Sequence, residues 1–427
     1  MMAGGVLFST LHVVDMFFVG KLGPSAIASV GMGGSVMFLL GTLFMGLATG
    51  TTALISRAFG AGERDNANHF AMQSLTLALF GSAVLSAVGY FCSPALLRFL
   101  GAEGIVLEEG IAYLRINFLG AYFMYSVFVI GSILNGAGDA VTPFLVMSLA
   151  SLVNIFLDYV LIFGHYGFPA LGVRGSALAT VLARVLACLA GLGLLFGGVL
   201  RIHPTFRGFY LDFYTMWRII RIGVFSSVQM LLRSTMNLIF IKIVALFGMP
   251  AVAAYTIGLR LRGIGLLPGF GMANAAATMV GQNLGARKPD RSERSALAAV
   301  GFACAIMTTV ALAFMAFAPS LVAIFTDDPE VMRSGVRFLR VSSIGLITAS
   351  IGIVLGRSLN GAGDTLSPMI ITFIGLWCIQ IPLAWLLSQT LKMGEMGIWY
   401  AWVFASLIQA VMCAMWFGAG KWKTKKI

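Results

Sequence analysis

The sequence N-G-A-G-D occurs twice, at residues 135–139 and again 225 residues later at 360–364. The dipeptide G-A at 60–61 recurs at 285–286 and L-R at 114–115 recurs at 339–340, while Gly23 recurs as Gly248. Because four separated pairs share one offset, we predict two fused copies of one unit of roughly 200 residues. In a membrane protein, parallel repeats of this kind indicate a transporter whose site lies between or within the halves.

The composition indicates an integral membrane protein. Of 427 residues, 59% are hydrophobic and only 10% are charged, with a mean hydropathy of +0.94. Soluble domains average about 25% charged residues. The net charge of +12 lies mostly in short loops between apolar runs, which favours membrane orientation over nucleic-acid binding. The five cysteines lie in apolar runs without metal-ligand spacing, and we interpret them as packing residues.

A helix needs about 20 mostly apolar residues to cross a bilayer, and this rule predicts twelve spans, six in each half. The predicted fold is an all-α membrane protein with two six-helix lobes related by a pseudo-twofold axis along the membrane normal. We place the N-terminal lobe at 1–200, a cytoplasmic linker at 201–215 and the C-terminal lobe at 216–427. The predicted spans are 1–22, 32–57, 68–98, 106–134, 140–164, 173–200, 216–247, 251–284, 295–325, 331–359, 365–391 and 397–420.

Loop charges predict the orientation. Arginine and lysine accumulate in the loops on the side of both termini, while the opposite loops carry few bases and several acids. The positive-inside rule therefore predicts cytoplasmic termini in the cell (inner) membrane. Span 7 begins near residue 216, and the equivalent start in the first half, 225 residues earlier, falls before Met1. We therefore expect that the first half lacks about ten residues that the second half has.

Three further stretches resemble motifs of one transporter family. Residues 14–23 are V-D-M-F-F-V-G-K-L-G, residues 154–158 are N-I-F-L-D with I-F-G at 162–164, and residues 280–286 are V-G-Q-N-L-G-A. With the N-G-A-G-D turns, they resemble multidrug and toxic compound extrusion (MATE) transporters of the archaeal-type, DNA-damage-inducible-like branch, over nearly the whole chain. The resemblance implies two six-helix lobes around a central cavity and export of a substrate in exchange for H⁺ or Na⁺.

Two acids, Asp15 and Asp158, lie well inside apolar runs. At 1.5 Å per residue they lie roughly 12 Å and 9 Å below the outer surface, so their depths are similar. An ionised carboxylate in hydrocarbon is costly and typically marks an ion path or a tight pair. Burial and mutual repulsion disfavour two negative charges, so the pair is expected to take up a proton near neutral pH. With neutral oxygens around them, the same acids would hold Na⁺.

Neighbouring polar residues extend this candidate site. Asn154 lies four residues before Asp158 and therefore shares its helix face, so Na⁺ would bind Asp15, Asn154 and Asp158. Tyr113 lies roughly 12 Å deep in span 4. The resemblance implies a first-lobe cation site formed by residues matching Asp15, Tyr113, Asn154, Asp158 and a hydroxyl of span 6, either Ser176 or Thr180.

Structural interpretations remain beside the functional ones. Asp15 could bond His12 one helical turn away, and Asp158 could pair with Arg184 of span 6. Tyr113 could belong to the aromatic belt at the membrane interface. The N-G-A-G-D turns are expected to be structural, because Gly frees the backbone and Asp and Pro shape the loop.

The second lobe is basic where the first is acidic. Span 7 carries Gln229, Arg233 and Lys242, and span 8 carries Arg260 and Arg262, whereas span 10 has no membrane-embedded acid. A second-lobe Na⁺ site is therefore not expected, and these bases argue against a strictly cationic substrate range.

The leading functional prediction is a secondary antiporter that exports amphipathic organic compounds such as drugs and toxins. Its coupling ion would be H⁺ or Na⁺, and we expect no cofactor, no nucleic-acid partner and a monomer in the lipid bilayer. The alternative is a flippase of a lipid-linked precursor, which the basic second lobe favours and the twelve spans oppose. An enzyme is not expected, because the sequence has no G-x-x-x-x-G-K-[ST] loop and no H-E-x-x-H motif.

Overall fold

The computed structural model describes residues 14–198, 200–206, 208–425 and 427. Within these ranges the regular structure is entirely helical, which confirms the predicted all-α class. Ten helices are long and apolar enough to cross a membrane, and the two pieces of α4 make an eleventh span if they are counted as one. The helices are α1 (residues 14–20), α2 (Pro24–Gly60), α3 (Arg64–Phe99), α4 (Gly104–Leu119 and Ala121–Gly136), α5 (Val141–Phe163), α6 (Val173–Phe196), α7 (Phe213–Ala245), α8 (Met249–Gly285), α9 (Pro289–Ala323), α10 (Pro329–Gly361), α11 (Leu366–Thr390) and α12 (Glu395–Gly418).

Two helices differ from the predicted spans, α2 in its first residue and α4 in its shape. Helix α2 begins at Pro24, eight residues before the predicted start at 32, because proline fits the first turn of a helix and Gly23 ends the preceding turn. The predicted span 106–134 is bent by 50° at Gly120. A Cβ atom at Gly120 would lie 2.6 Å from the Val181 side chain, so the bend occurs where α6 packs closely against α4.

The repeat extends to the backbone conformation. Positive φ angles occur in equivalent pairs, 112° at Gly23 with 90° at Gly248 and 88° at Gly138 with 82° at Gly363. Arg287, with a φ of 57°, is the counterpart of Gly62 at 79° and ends α8 as Gly62 ends α2. The two halves therefore share their turn geometry as well as their motifs.

The N-G-A-G-D turns are structural in both halves, as predicted. The carboxylate of Asp139 accepts hydrogen bonds from the backbone N–H of Val141 and of Thr142, both at 3.0 Å, and from the Thr142 hydroxyl at 2.6 Å. At the equivalent place Asp364 accepts a 2.6 Å hydrogen bond from the Ser367 hydroxyl. These carboxylates accept hydrogen bonds from N–H and hydroxyl groups at the starts of α5 and α11, which is the usual role of a helix-capping residue.

The C-terminal segment packs against the second of these turns. Lys425 Nζ lies 2.7 Å from Asp364 Oδ1, and the Trp416 indole N–H donates to Asp364 Oδ2 at 3.2 Å. Burial opposes ionisation of Asp364, but the hydrogen bonds from Lys425, Ser367 and Trp416 outweigh it and lower the pKa of this carboxyl. Trp422 is fully buried against Phe417. The segment after α12 is thus fixed to the turn between α10 and α11.

The chain divides into two compact units, one ending at Gly223 and one beginning at Val224. The linker predicted at 201–215 packs with the first unit, on α3. Gln73 Nε2 donates to the Tyr210 carbonyl at 2.6 Å, and Gln73 Oε1 accepts from the Asp212 backbone N–H at 3.3 Å. His69 Nε2 lies 3.1 Å from Asp212 Oδ2. Helix α7 therefore starts in the first unit and continues into the second.

Replacing Asp212 with alanine is expected to loosen this linker. The Asp212 carboxylate accepts hydrogen bonds from the Thr215 hydroxyl at 2.6 Å and from the Thr215 backbone N–H at 3.0 Å. These bonds, with a further contact from His69, lower the pKa of Asp212 to about 2. A depressed pKa means that the carboxylate stabilises the fold above the unfolded pKa near 4, and that this contribution is lost as pH falls through about 2. Loss of such a cap costs about 1 kcal/mol, so cleavage within 200–212 by limited proteolysis at neutral pH should be about fivefold faster.

Asp327→Ala is the matched control for Asp212→Ala, because Asp327 is exposed in a loop of the other unit. Equal cleavage rates for Asp212→Ala and the unmodified protein would show that the linker is held by other contacts.

Candidate functional site

Asp158 is the most deeply buried carboxylate of the first lobe. It lies near the end of α5 and is 0% exposed, and neither of its oxygens accepts a hydrogen bond from any group that the structure describes. A buried anion without donors is strongly disfavoured, because nothing replaces the water it has lost. The geometry therefore favours a protonated Asp158 or one that holds a cation.

Asp15 lies beside this carboxyl, on α1. The Ser176 hydroxyl of α6 donates to Asp15 Oδ1 at 2.8 Å. The charge of Asp15 acts on both Asp158 and Tyr113, so helices α1, α4 and α5 bring these groups within electrostatic reach of one another. Because like charges within electrostatic reach oppose joint ionisation, the two acids make one candidate site.

Asn154 completes a polar face on α5, one helical turn before Asp158. It is nearly buried, and its side-chain nitrogen has no hydrogen-bond acceptor among the described residues. The amide oxygen and nitrogen can exchange places by rotation about the last bond of the side chain. Rotation would present the oxygen, which together with a carboxylate is a typical ligand set for a hard cation.

Tyr113 is buried against the helices that carry the acids. It packs in an apolar cluster with Val19, Ile162 and Ala177, and a Cβ atom at Gly33 would lie 2.6 Å from the Tyr113 ring. A residue of the interfacial belt would keep its polar end in water. The burial of Tyr113 thus agrees better with a place in the site than with an interfacial role.

The other residues considered from sequence take different places. Arg184 donates to Asn117 Oδ1 at 3.3 Å and not to Asp158, so the alternative interpretation of an Asp158–Arg184 pair is wrong. Thr180, one turn after Ser176 on α6, is half-buried, and the described structure contains no hydrogen bond from it to either acid. His12, considered as a partner of Asp15, lies outside the described residues.

The second lobe has an aromatic core where the first lobe has this polar site. Phe338 is the repeat counterpart of Tyr113, and it packs against Gly258 as Tyr113 packs against Gly33. The counterpart of Asp15 is Phe240, which is buried in the same cluster. The cluster is completed by Tyr255 and Trp399, whose rings stack at 5.7 Å. Among the described residues, the candidate acid site is therefore confined to the first repeat.

Sequence reasoning missed two polar residues of functional interest, one in each lobe. Asn117 donates to the Tyr113 carbonyl at 3.0 Å and accepts from Arg184, so it links α4 to α6 beside the acids. Arg357 on α10 occupies the position equivalent to Ser132, so comparison of the two repeats at the offset of 225 residues would have revealed this added charge.

Comparison with known proteins agrees with this architecture. The MatE family profile matches residues 1–160 and 226–386. The chain is 29% identical to a probable multidrug resistance protein NorM of Thermotoga maritima over all of this chain and 92% of that protein. It is 26% identical to a protein of Shewanella oneidensis described as an FAD transporter, over 94% of this chain and 88% of that protein.

Solved structures give the same result. A structure described as the outward-facing conformation of a multidrug resistance MATE family transporter superposes with a TM-score of 0.92 at 28% identity. The match covers 99% of this chain and 94% of that one. The two halves of the family profile fall on the two repeats recognised in the sequence. The chain belongs to the MatE family, whose members are multi-pass membrane transporters and not enzymes.

Proposed function

We propose that this protein exports small amphipathic organic compounds in exchange for H⁺ or Na⁺. The coupling ion binds at the first-lobe acid site, which we define as Asp15, Asn154 and Asp158 with Tyr113 and Ser176 around them. The observation that carries this proposal is the fully buried Asp158 carboxyl, which has no hydrogen-bond donor among the described residues. A proton or a cation removes the cost of that arrangement, and no other group among the described residues does so.

The names of the relatives support a transported organic compound. The Thermotoga maritima protein is described as a probable multidrug resistance protein and the Shewanella oneidensis protein as an FAD transporter. The first name concerns drugs and the second concerns FAD, and both are organic compounds. They favour an exporter of such compounds over a flippase of a lipid-linked precursor.

Ion binding changes the charge of the first lobe, and this change drives transport. Protonation or Na⁺ binding removes one negative charge from the site on α1, α5 and α6. These helices can then repack, and Gly20 and Gly23 near the outer end of α1 permit a change of its backbone at low cost. Antiport requires the ion to bind better to the state that holds substrate more weakly. With cytoplasmic termini, as the loop charges predict, this state opens outward.

Transport into vesicles under separate gradients tests the proposal. The purified protein is reconstituted in liposomes loaded with a fluorescent amphipathic dye, and either a pH gradient or a Na⁺ gradient is imposed alone. Dye movement under one gradient, absent in protein-free liposomes, is expected and identifies the coupling ion. Failure of both gradients to drive any of a panel of cationic, neutral and anionic dyes would contradict ion-coupled export.

A further inference from the structure

A cavity of about 180 Å³ lies within the second compact unit, among α7, α8, α10, α11 and α12. We call it the second-lobe cavity. The residues that decide its chemistry are Gln229, Arg233, Arg262, Gln380, Trp402 and Gln409. An engineered protein cavity of about 150 Å³ binds benzene, so the second-lobe cavity has room for an aromatic ring system.

The charge of the cavity is entirely positive. Arg233 comes from α7 and Arg262 from α8, and no carboxylate among the described residues lies within 4.0 Å of either guanidinium. Arg357 of α10 acts electrostatically on Arg233 and so adds to the positive potential. Arginine inside a membrane span is costly unless an anion or water compensates it. Because Arg233 is accessible and lines the cavity, an anion entering there would meet an available charge.

An aromatic wall lies beside this charge. The Arg262 guanidinium stacks over the Trp402 ring at 4.3 Å and lies 5.8 Å from the Phe338 ring centre. A Cβ atom at Gly345 would collide with the Trp402 ring, so glycine there allows the indole to lie close to α10. A guanidinium held flat against an indole forms a planar, positively charged surface, which suits an aromatic ring of a ligand.

A buried polar group adds a further recognition element. Gln380 lines the cavity and is 2% exposed, yet its side-chain oxygen has no hydrogen-bond partner among the described residues. It ends a wide helical turn at Ile374–Gln380, a type of distortion that often occurs at functional sites. Gln229 differs, because its amide already donates to the Pro368 carbonyl and the Thr372 hydroxyl. Gln380 is therefore available to a polar substituent of a ligand.

We propose that the second-lobe cavity binds aromatic organic anions, compounds in which a planar ring system carries a carboxylate or a similar acid group. Arg233 binds the acid group, the Arg262–Trp402 pair contacts the ring, and Gln380 accepts from a polar substituent. That the bound anion is also a transported substrate rests on the proposed function. The binding itself requires neither an ion gradient nor turnover.

Equilibrium binding to the purified full-length protein tests this inference with three probes of one shape. Naphthoate is anionic, naphthamide is neutral and naphthamidine is cationic. A hydrogen-bonded charge pair with Arg233 should make naphthoate bind at least about tenfold more tightly than naphthamide, and naphthamidine should bind most weakly. Equal binding of the three probes, or preference for the cation, would overturn the proposal.

Variants of Arg233 locate the site. Arg233→Gln should weaken naphthoate binding about tenfold and leave naphthamide binding within about twofold, whereas Arg233→Lys should recover most of the loss. Arg294→Gln removes an exposed charge outside the cavity and should change nothing. Unchanged naphthoate affinity in Arg233→Gln would also overturn the proposal. If this variant does not fold, the preference of the unmodified protein and the Arg233→Lys affinity decide the question.

The same measurements separate this inference from the proposed function. Selective naphthoate binding by a protein that transports no dye under either gradient would contradict the antiporter and leave the anion site intact. Ion-driven dye transport by a protein that binds the three probes equally would support the antiporter and contradict the anion site.

Discussion

Replacing Asp158 with asparagine is expected to abolish ion-driven export while the protein still folds and inserts. The amide has nearly the same shape as the carboxyl, but it cannot take up a proton or supply a negative charge to Na⁺. Asp158 is fully buried without hydrogen-bond donors, so its loss of charge should cost the fold little. Dye export from proteoliposomes under the effective gradient should fall to the level of protein-free vesicles.

Asp15→Asn should have the same effect on transport, because Asp15 acts electrostatically on Asp158 and accepts a hydrogen bond from the Ser176 hydroxyl. Asp327→Asn is the matched control, since Asp327 is an exposed acid outside the first lobe. Expression and the gel-filtration profile of each variant show whether it is folded. Full ion-driven export by both first-lobe variants would place the coupling site elsewhere.

The affinity for an exported dye should fall as the coupling ion binds. If H⁺ is that ion, affinity should decrease by up to tenfold per pH unit as pH falls through the range in which the first-lobe acid site takes up its proton. If Na⁺ is that ion, affinity should decrease with increasing Na⁺ at constant pH. Binding titrations between about pH 5 and pH 8, with and without Na⁺, measure both effects.

In Asp15→Asn, dye affinity should become insensitive to the coupling ion. The second lobe cannot replace the site, because the described parts of α7, α8 and α11 contain no aspartate or glutamate. An ion dependence in Asp15→Asn equal to that of the unmodified protein would show that coupling does not use the first-lobe acids.

Much of the acid site could be predicted because depth and helix face follow from sequence position. The spacing of Asn154 and Asp158 predicts a shared face, and the structure confirms that both are buried on α5. Spacing could not decide between Ser176 and Thr180 as the partner of Asp15, because that depends on the rotation of α6 against α1. The structure gives the contact to Ser176.

Features that depend on packing between helices were harder to predict. The close approach of Tyr113 to Gly33 and the bend of α4 at Gly120 both arise where one helix meets another. Hydropathy shows only that such residues are apolar or small. The basic character of the second lobe was evident from Arg233 and Arg262, but the cavity that they share requires five helices to come together.

If export is coupled as proposed, the aromatic counterpart of the acid site in the second lobe limits the work that one transport cycle can perform. With the first-lobe acid site as the one proposed coupling site among the described residues, the work available in each cycle is fixed by the number of ions that this site exchanges. For an uncharged substrate, each proton contributes about 1.4 kcal/mol per unit of pH difference and about 2.3 kcal/mol per 100 mV of membrane potential. With one pH unit and 100 mV together, one proton sustains a substrate concentration ratio of at most about 500. Under the proposed antiport, a chain with the acid site in both repeats would square that ratio, whereas the second repeat of this chain has Phe240 and Phe338 at the positions of Asp15 and Tyr113.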